Sequence, residues 1–200
     1  MLRVPSLTNN RMFLSRLLLV GLCIYVILSR PPVFISPWIA DALGLVGLVL
    51  VVIAAFGRIW CLSFVAGRKN DVLISEGPYS VTRNPLYAFS FLGIVGFGLV
   101  VENPALALGL SVLFFAYYPF VVRREERYLE SRFGAVYSAY CSRTPRWIPD
   151  FRLYREPQTI TISPARFRAG LLDSLWFVSA FVLWEVLEVL RRSGLSLYIF

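Results

Sequence analysis

The sequence predicts an all-α fold: a polytopic helical membrane protein with about five transmembrane helices. Three observations predict it. Apolar residues make up 58% of the 200-residue chain and charged residues only 16%, with a mean hydropathy of +0.67. Soluble domains run near half apolar and a quarter charged, and a fold of this length has too little interior to hide the excess. The apolar residues are gathered into five runs of close to the ~20 residues that a bilayer-crossing helix needs. The basic residues lie between those runs, 17 of the 20 falling within residues 1–16, 57–86 and 123–170.

The runs follow in order. Residues 12–29 form the first, with Arg16 positioned to snorkel. Arg30-Pro31-Pro32 follows it with no small-residue cleavage site, so it reads as a retained helix and not a signal peptide. Residues 39–56 form the second run, with Asp41 near its outer end, and residues 86–101 a short third. Glu102-Asn103-Pro104 is a tight turn into the fourth, residues 105–122, so the third and fourth runs should form an antiparallel hairpin. Apolar positions Val122, Leu129, Phe133, Val136 and Tyr140 carry a helix beyond the bilayer. Gly134 interrupts it and the Pro-containing stretch 143–149 ends it. The fifth run, residues 171–190, holds Asp173, Glu185 and Glu188.

The expected organisation is a single membrane domain over residues 1–200. Residues 1–56 give two N-terminal helices, 70–150 a core built on the hairpin, and 170–192 a C-terminal helix. Segments 57–85 and 123–170 read as long polar loops. The distribution of arginine puts the N-terminus and both long loops in the cytoplasm. Arg191 and Arg192 run against that rule if the fifth run spans fully, and suit an interfacial helix instead.

Composition also excludes. The net charge is +8, and all but one of the basic residues are arginine. In a soluble chain that would suggest nucleic acid; between apolar runs it fits anionic head groups, and no nucleic-acid partner is expected. There is no histidine, so a Ser-His-Asp triad, a His-ligated zinc and a histidine base are ruled out. Cys23, Cys61 and Cys141 fit no metal spacing and read as reduced structural thiols; no metal site and no protein partner are indicated.

Two segments carry chemistry. In the first, Gly77-Pro78 is a turn signal, and Asn84-Pro85 reads as a helix start with Asn84 as N-cap. Free N–H groups at that start, with Arg83 before it, would make a carboxylate site at the membrane surface. The second segment is Arg123-Arg124-Glu125-Glu126-Arg127. Arg83 and Glu125 are 42 residues apart, a distance that two helices and a turn span out and back, so the two segments should meet on one face. Together they offer an anion-binding and a cation-binding end. Each residue has a plainer use. Arg83 can snorkel, Tyr79 and Tyr87 can be interface aromatics, and the glutamates can pair along their own helix. Gly93, Gly96 and Gly98 read as helix-packing residues. Glu185 and Glu188 suit ion pairs with Arg191 and Arg192, and Trp147 suits a surface anchor.

At these residues the chain resembles the isoprenylcysteine carboxyl methyltransferase and phospholipid N-methyltransferase superfamily of integral membrane methyltransferases. The match runs over about residues 70–150. It comprises Gly77-Pro78-Tyr79, Arg83-Asn84-Pro85-Leu86-Tyr87, Asn103-Pro104, Glu125-Glu126, Leu129, Phe133-Gly134, Tyr137, Tyr140, Arg143, Pro145 and Pro149. Asn84 stands where the carboxyl methyltransferases usually have histidine, and Asn-Pro-x-Tyr looks like the phospholipid branch. The resemblance implies S-adenosylmethionine as cofactor, held in a cytoplasmic pocket by Gly77, Pro78, Tyr79, Asn84, Pro85, Tyr87, Glu125 and Glu126. It implies an acceptor entering sideways from the bilayer, either a lipid or a lipid-linked molecule. Arg83 would bind a carboxylate of cofactor or substrate, and Arg83 and Glu126 are the expected catalytic pair. Methyl transfer is an in-line displacement, for which orientation alone can supply about 7–11 kcal/mol. An amine acceptor must also lose a proton, which Glu125 or Glu126 can receive. Two other readings stay open: a membrane reductase of similar architecture using NADPH, and a non-catalytic membrane scaffold.

Overall fold

The computed structural model describes residues 36–68 and 71–193. Among them there is no strand. The helices are α1 (Pro37–Val65), α2 (Pro78–Val81), α3 (Pro85–Val100), α4 (Pro104–Phe133), α5 (Ala135–Arg143) and α6 (Pro164–Arg192), with a 3-10 turn at Phe151–Leu153. All the α-helices but α5 begin at proline. The ring fixes φ near its helical value, and the N–H it lacks would have had no partner in a first turn. The first apolar run, residues 12–29, and Cys23 lie outside the described residues, as do the side chains of Asp173, Arg191 and Arg192.

Two helices are long and apolar enough to cross a bilayer, Trp38–Val65 and Pro104–Phe133; α3 is apolar but shorter. At ~1.5 Å per residue its 16 residues reach about 24 Å, less than the ~30 Å of a hydrocarbon core. Outward-facing Leu45, Val49 and Phe56 on α1, and Leu108, Val112 and Phe120 on α4, are exposed. A water-soluble core helix would bury such residues, whereas a lipid-facing one leaves them out. Among the described residues, two of the five expected spans meet that test on length and composition. α6 is long, but Arg166, Arg168, Glu185 and Glu188 interrupt its apolar residues.

Chain contacts divide the protein into two units, of which residues 35–182 form the larger. The end of α6 is all that is described of the other. Within the larger unit α1 and α3 form the most extensive helix pair. A side chain at Gly47 would lie 2.6 Å from the carbonyl oxygen of Gly96, and one at Gly96 would lie 2.7 Å from that of Gly47. The two backbones touch, as small residues allow where helix association rests on packing alone. The expected packing role of Gly96 and Gly98 is met; a side chain at Gly98 would strike Ala107 at 2.6 Å, at the tip of the hairpin. There Asn103 caps α4, its Oδ1 accepting from the Leu106 N–H at 3.0 Å.

α1 extends nine residues past the expected end of the second run. Residues 57–65, expected as loop, are helical: Cys61 and Phe64 are buried, and Arg58, which marks a break in the sequence, donates from Nη1 to Ser90 Oγ on α3. The helix stops at Ala66 and Gly67, whose φ of +92° suits glycine. Ser163 N–H donates to the Ala66 carbonyl, fixing the start of α6 there; α6 begins seven residues before the fifth apolar run. α4 continues unbroken to Phe133. Gly134, with φ +52°, then separates it from α5, as the interruption at that residue foretold.

Candidate active site

Four pieces of chain meet where α4 leaves its apolar stretch: α2, residues 82–87, the Glu125-Glu126 turn of α4, and α5 with the segment after it. The turn into α2 is shaped by Gly77, whose φ is +58° and where a Cβ would lie 2.2 Å from the Phe64 ring. Its N–H donates to the Arg155 carbonyl at 2.7 Å, and Ser80 Oγ both donates to the Gly77 carbonyl and accepts from Arg155 N–H. Pro78 is completely buried. These contacts aim Tyr79 inward, and Tyr140 on α5 donates its hydroxyl to the Tyr79 carbonyl at 2.7 Å.

Residues 82–84 are fastened to the chain beyond α5. Arg83 N–H donates to the Pro145 carbonyl at 2.8 Å and Arg83 Nε to that of Thr144 at 2.9 Å. Thr82 Oγ1 and Asn84 Nδ2 both donate to the Arg146 carbonyl, the latter at 3.0 Å. Asn84 occupies the N-cap position of α3 but makes no capping bond with its side chain, because that amide is used across the site instead.

Arg83 and the glutamate pair meet, as their spacing predicts. Arg83 Nη1 lies 3.2 Å from Glu126 Oε1, with both side chains largely buried, and it also donates to Cys141 Sγ at 3.3 Å. Arg146 grips the same carboxylate with two nitrogens, Nε to Oε1 at 3.1 Å and Nη2 to Oε2 at 2.6 Å. Such forked, charge-assisted bonds are the stronger kind. The expected anion-binding and cation-binding ends are therefore not apart. Glu126 is enclosed by two guanidinium groups and Arg83 is partly neutralised. Glu125 has a different setting: Tyr87 donates its hydroxyl to Oε2 at 2.9 Å.

The cavity so formed measures about 140 Å³. Tyr79, Arg83, Asn84, Tyr87, Glu125 and Glu126 line it; Gly77, Pro78 and Pro85 do not, and act by shaping the segments on either side. Tyr137 and Tyr140 complete a wall of four tyrosines, with Val72, Leu73, Ile74 and Leu129 as apolar lining. Burial holds the hydroxyls of Tyr79, Tyr137 and Tyr140 well above the usual phenol range, and the hydrogen bond between Tyr137 and Cys141 adds to this. They are neutral rings, so the ionic chemistry falls to the carboxylates and arginines. An aromatic path leads away from Glu125 along the hairpin. Tyr87 packs edge-on to Tyr118 at 5.2 Å, Tyr118 stacks on Phe114 at 4.1 Å, and Phe114 touches Phe91 and the exposed Phe115.

Arg146 and Cys141 escaped the sequence reading as site residues. A signal for Cys141 existed: Tyr137, Tyr140 and Cys141 recur at three- and four-residue spacing, so they share one face of α5. Nothing local marks Arg146, which lies beyond α5 and whose partner is 20 residues away on α4.

Fold and site together define a helical membrane protein with a small tyrosine-lined cavity, holding paired charges, at the end of a helical hairpin. The chain belongs to the phospholipid methyltransferase family, which residues 33–136 match, and it is a methyltransferase. It is 37% identical over 157 residues to the cobalt-zinc-cadmium resistance protein CzcN of Cupriavidus metallidurans, covering 78% of this chain and 72% of that one. It is 34% identical over 187 residues to the nickel-cobalt-cadmium resistance protein NccN of Alcaligenes xylosoxydans xylosoxydans, covering 94% and 87%. Over 81 residues it is 30% identical to protein-S-isoprenylcysteine O-methyltransferase B of Arabidopsis thaliana, covering 40% of this chain and 41% of the relative. No solved structure matches.

Proposed function

We propose that this methyltransferase takes its methyl group from S-adenosylmethionine and gives it to a membrane-embedded lipid or lipid-linked acceptor. In this reading the chain has five spans and the site faces the cytoplasm. The observation that carries the reading is the cavity itself, in which neutral tyrosine rings and two carboxylates adjoin an arginine. The residues present fit that cofactor. A sulfonium makes no hydrogen bond and is held by ring faces and nearby negative charge, which Tyr79, Tyr87, Tyr137 and Glu125 offer. Arg83 Nη2 takes part in none of the bonds described above, so a ligand carboxylate can use it. Glu125 would receive an ammonium or ribose hydroxyl.

When bound, the cofactor supplies an electrophilic methyl group. The chain's own residues do the rest. The fastened 82–84 segment holds Arg83 and Asn84 in register with α4, which would orient donor and acceptor without rearrangement. The tyrosine wall with Leu73 and Ile74 would limit the water that reaches the reacting carbon. Glu125 Oε2, already accepting from Tyr87, is the oxygen suited to take a proton from an amine acceptor; a carboxylate acceptor would need none. The aromatic path along α3 and α4 supports sideways access from the bilayer, since rings there present an apolar track ending at Glu125. The metal-resistance names of CzcN and NccN come to this chain as a setting only. With no histidine in the sequence, a contribution through methyl transfer is the simpler reading than ligation of the cations.

Calorimetric titration of the purified full chain with S-adenosylhomocysteine and with NADPH tests this, beside Glu125→Gln. The expected result is binding of S-adenosylhomocysteine that weakens in the variant, with no binding of NADPH. Binding of NADPH alone would overturn the reading in favour of a reductase.

A further inference from the structure

A second cleft shares Arg83 with the cavity. Its wall is drawn from the end of α5 and the segment that follows, and includes Arg143, Ile148, Asp150 and Arg152. Its charged lining is Arg83, Arg143 and Arg152 against a single acid, Asp150. That acid is already taken: its Oδ1 accepts from both the backbone N–H and Nε of Arg152, at 3.1 and 3.2 Å. Arg143 spends only Nε, on the Ala139 carbonyl. The cleft is therefore a surplus of positive charge with guanidinium nitrogens to spare.

The same segment bears two large apolar residues that the fold leaves out, Ile148 at 82% exposed and Phe151 at 74%. Bulky apolar groups alternating with arginines are costly in water and suited to the boundary between head groups and acyl chains. The backbone carrying them is fixed and not free to curl inward. Asp150 N–H donates to the Val81 carbonyl at 3.0 Å, Arg83 N–H to Pro145, and Gly77 N–H to Arg155. These bonds tie the segment to the start of α3, the end of an apolar helix, so it lies at the level where a bilayer surface would be.

We propose that this cleft binds the phosphate of an anionic phospholipid head group, with Arg143 and Arg152 gripping the phosphate while Ile148 and Phe151 enter the acyl boundary. Arginine suits that task because its planar fork matches phosphate oxygens. The apolar pair selects a lipid over free phosphate. Arg83 lines both cleft and cavity, so the bound head group is one side chain from the reacting centre. The site is separate from the cofactor's and does not depend on which cofactor the cavity takes.

The test is lipid retention by the full chain in neutral detergent, counted by native mass spectrometry. The chain is titrated with phosphatidylglycerol, phosphatidylcholine and inorganic phosphate. The wild type is expected to retain phosphatidylglycerol over phosphatidylcholine, unaffected by inorganic phosphate. Arg143→Gln/Arg152→Gln is expected to lose that preference, and Ile148→Ser/Phe151→Ser to retain less of both lipids. Arg152→Gln alone, at a side chain 92% exposed, should weaken the preference without touching the fold. Equal retention of phosphatidylglycerol by the wild type and both arginine variants would overturn the proposal. So would displacement of phosphatidylglycerol by inorganic phosphate, which would make the cleft a free-anion site.

Discussion

The bilayer-facing part of this protein and its charged end are held together by different forces. Between α1 and α3 the contact is backbone on backbone at Gly47 and Gly96. Its polar content includes a bond from Arg58 to Ser90. At the site end there is little such packing. Segments 82–84 and 144–146 are joined by five hydrogen bonds, and Glu126 is shared by two arginines. The contrast follows from the solvent. In hydrocarbon an unmet polar group is too costly, so shape does the work. At the surface, water competes for every bond, and geometry is kept by linking many of them.

If that division is right, substitutions at the two ends should fail differently. Glu126→Ala should cost most. It leaves Arg83 and Arg146 facing each other without their shared carboxylate, and removal of one partner from a largely buried ion pair costs about 3 kcal/mol. Unfolding in denaturant should show the loss, and activity should fall with it. Gly47→Leu should cost about 1–3 kcal/mol by overpacking while leaving S-adenosylhomocysteine affinity intact in the protein that folds; lost affinity at normal stability would break the comparison. Tyr87→Phe should sharpen it from the other side. It removes the hydroxyl on Glu125 and should slow methyl transfer about fivefold, the worth of ~1 kcal/mol for one hydrogen bond, with stability barely moved. The smallest effect concerns pH. Tyr79, Tyr137 and Tyr140 have raised folded-state values. The stability they contribute is therefore fully present below the ordinary phenol value of about 10 and is lost as pH rises above it. Spectroscopic titration should find them un-ionised where exposed tyrosines have already ionised.

Features set by residues close in sequence were readable in advance. Asn103-Pro104 announced the hairpin, and the spacing from Arg83 to Glu125 announced that they would meet. Gly134 announced the break after α4. What escaped depends on partners far along the chain. Residues 57–65 looked like loop because Arg58 looked like an end, yet it finds a partner in Ser90, 32 positions on, within a continuing helix. Asn84 looked like a cap, yet its amide is drawn to the carbonyl of Arg146. Glu126 looked available for a ligand until Arg146 closed on it. In each case a long-range polar contact overrode the local signal, and such contacts leave no periodicity to read.

α4 runs unbroken from Pro104 to Phe133, and this fixes a depth. At ~1.5 Å per residue, Glu125 stands about 32 Å along the helix from Pro104, close to the ~30 Å thickness of a hydrocarbon core. With α4 crossing the bilayer from Pro104, the carboxylates would sit at the height where a phospholipid already carries its polar atoms. On the function proposed above, a lipid acceptor would be methylated while its tails stay among their neighbours. The enzyme would then work as a surface at the right altitude, without having to extract its substrate.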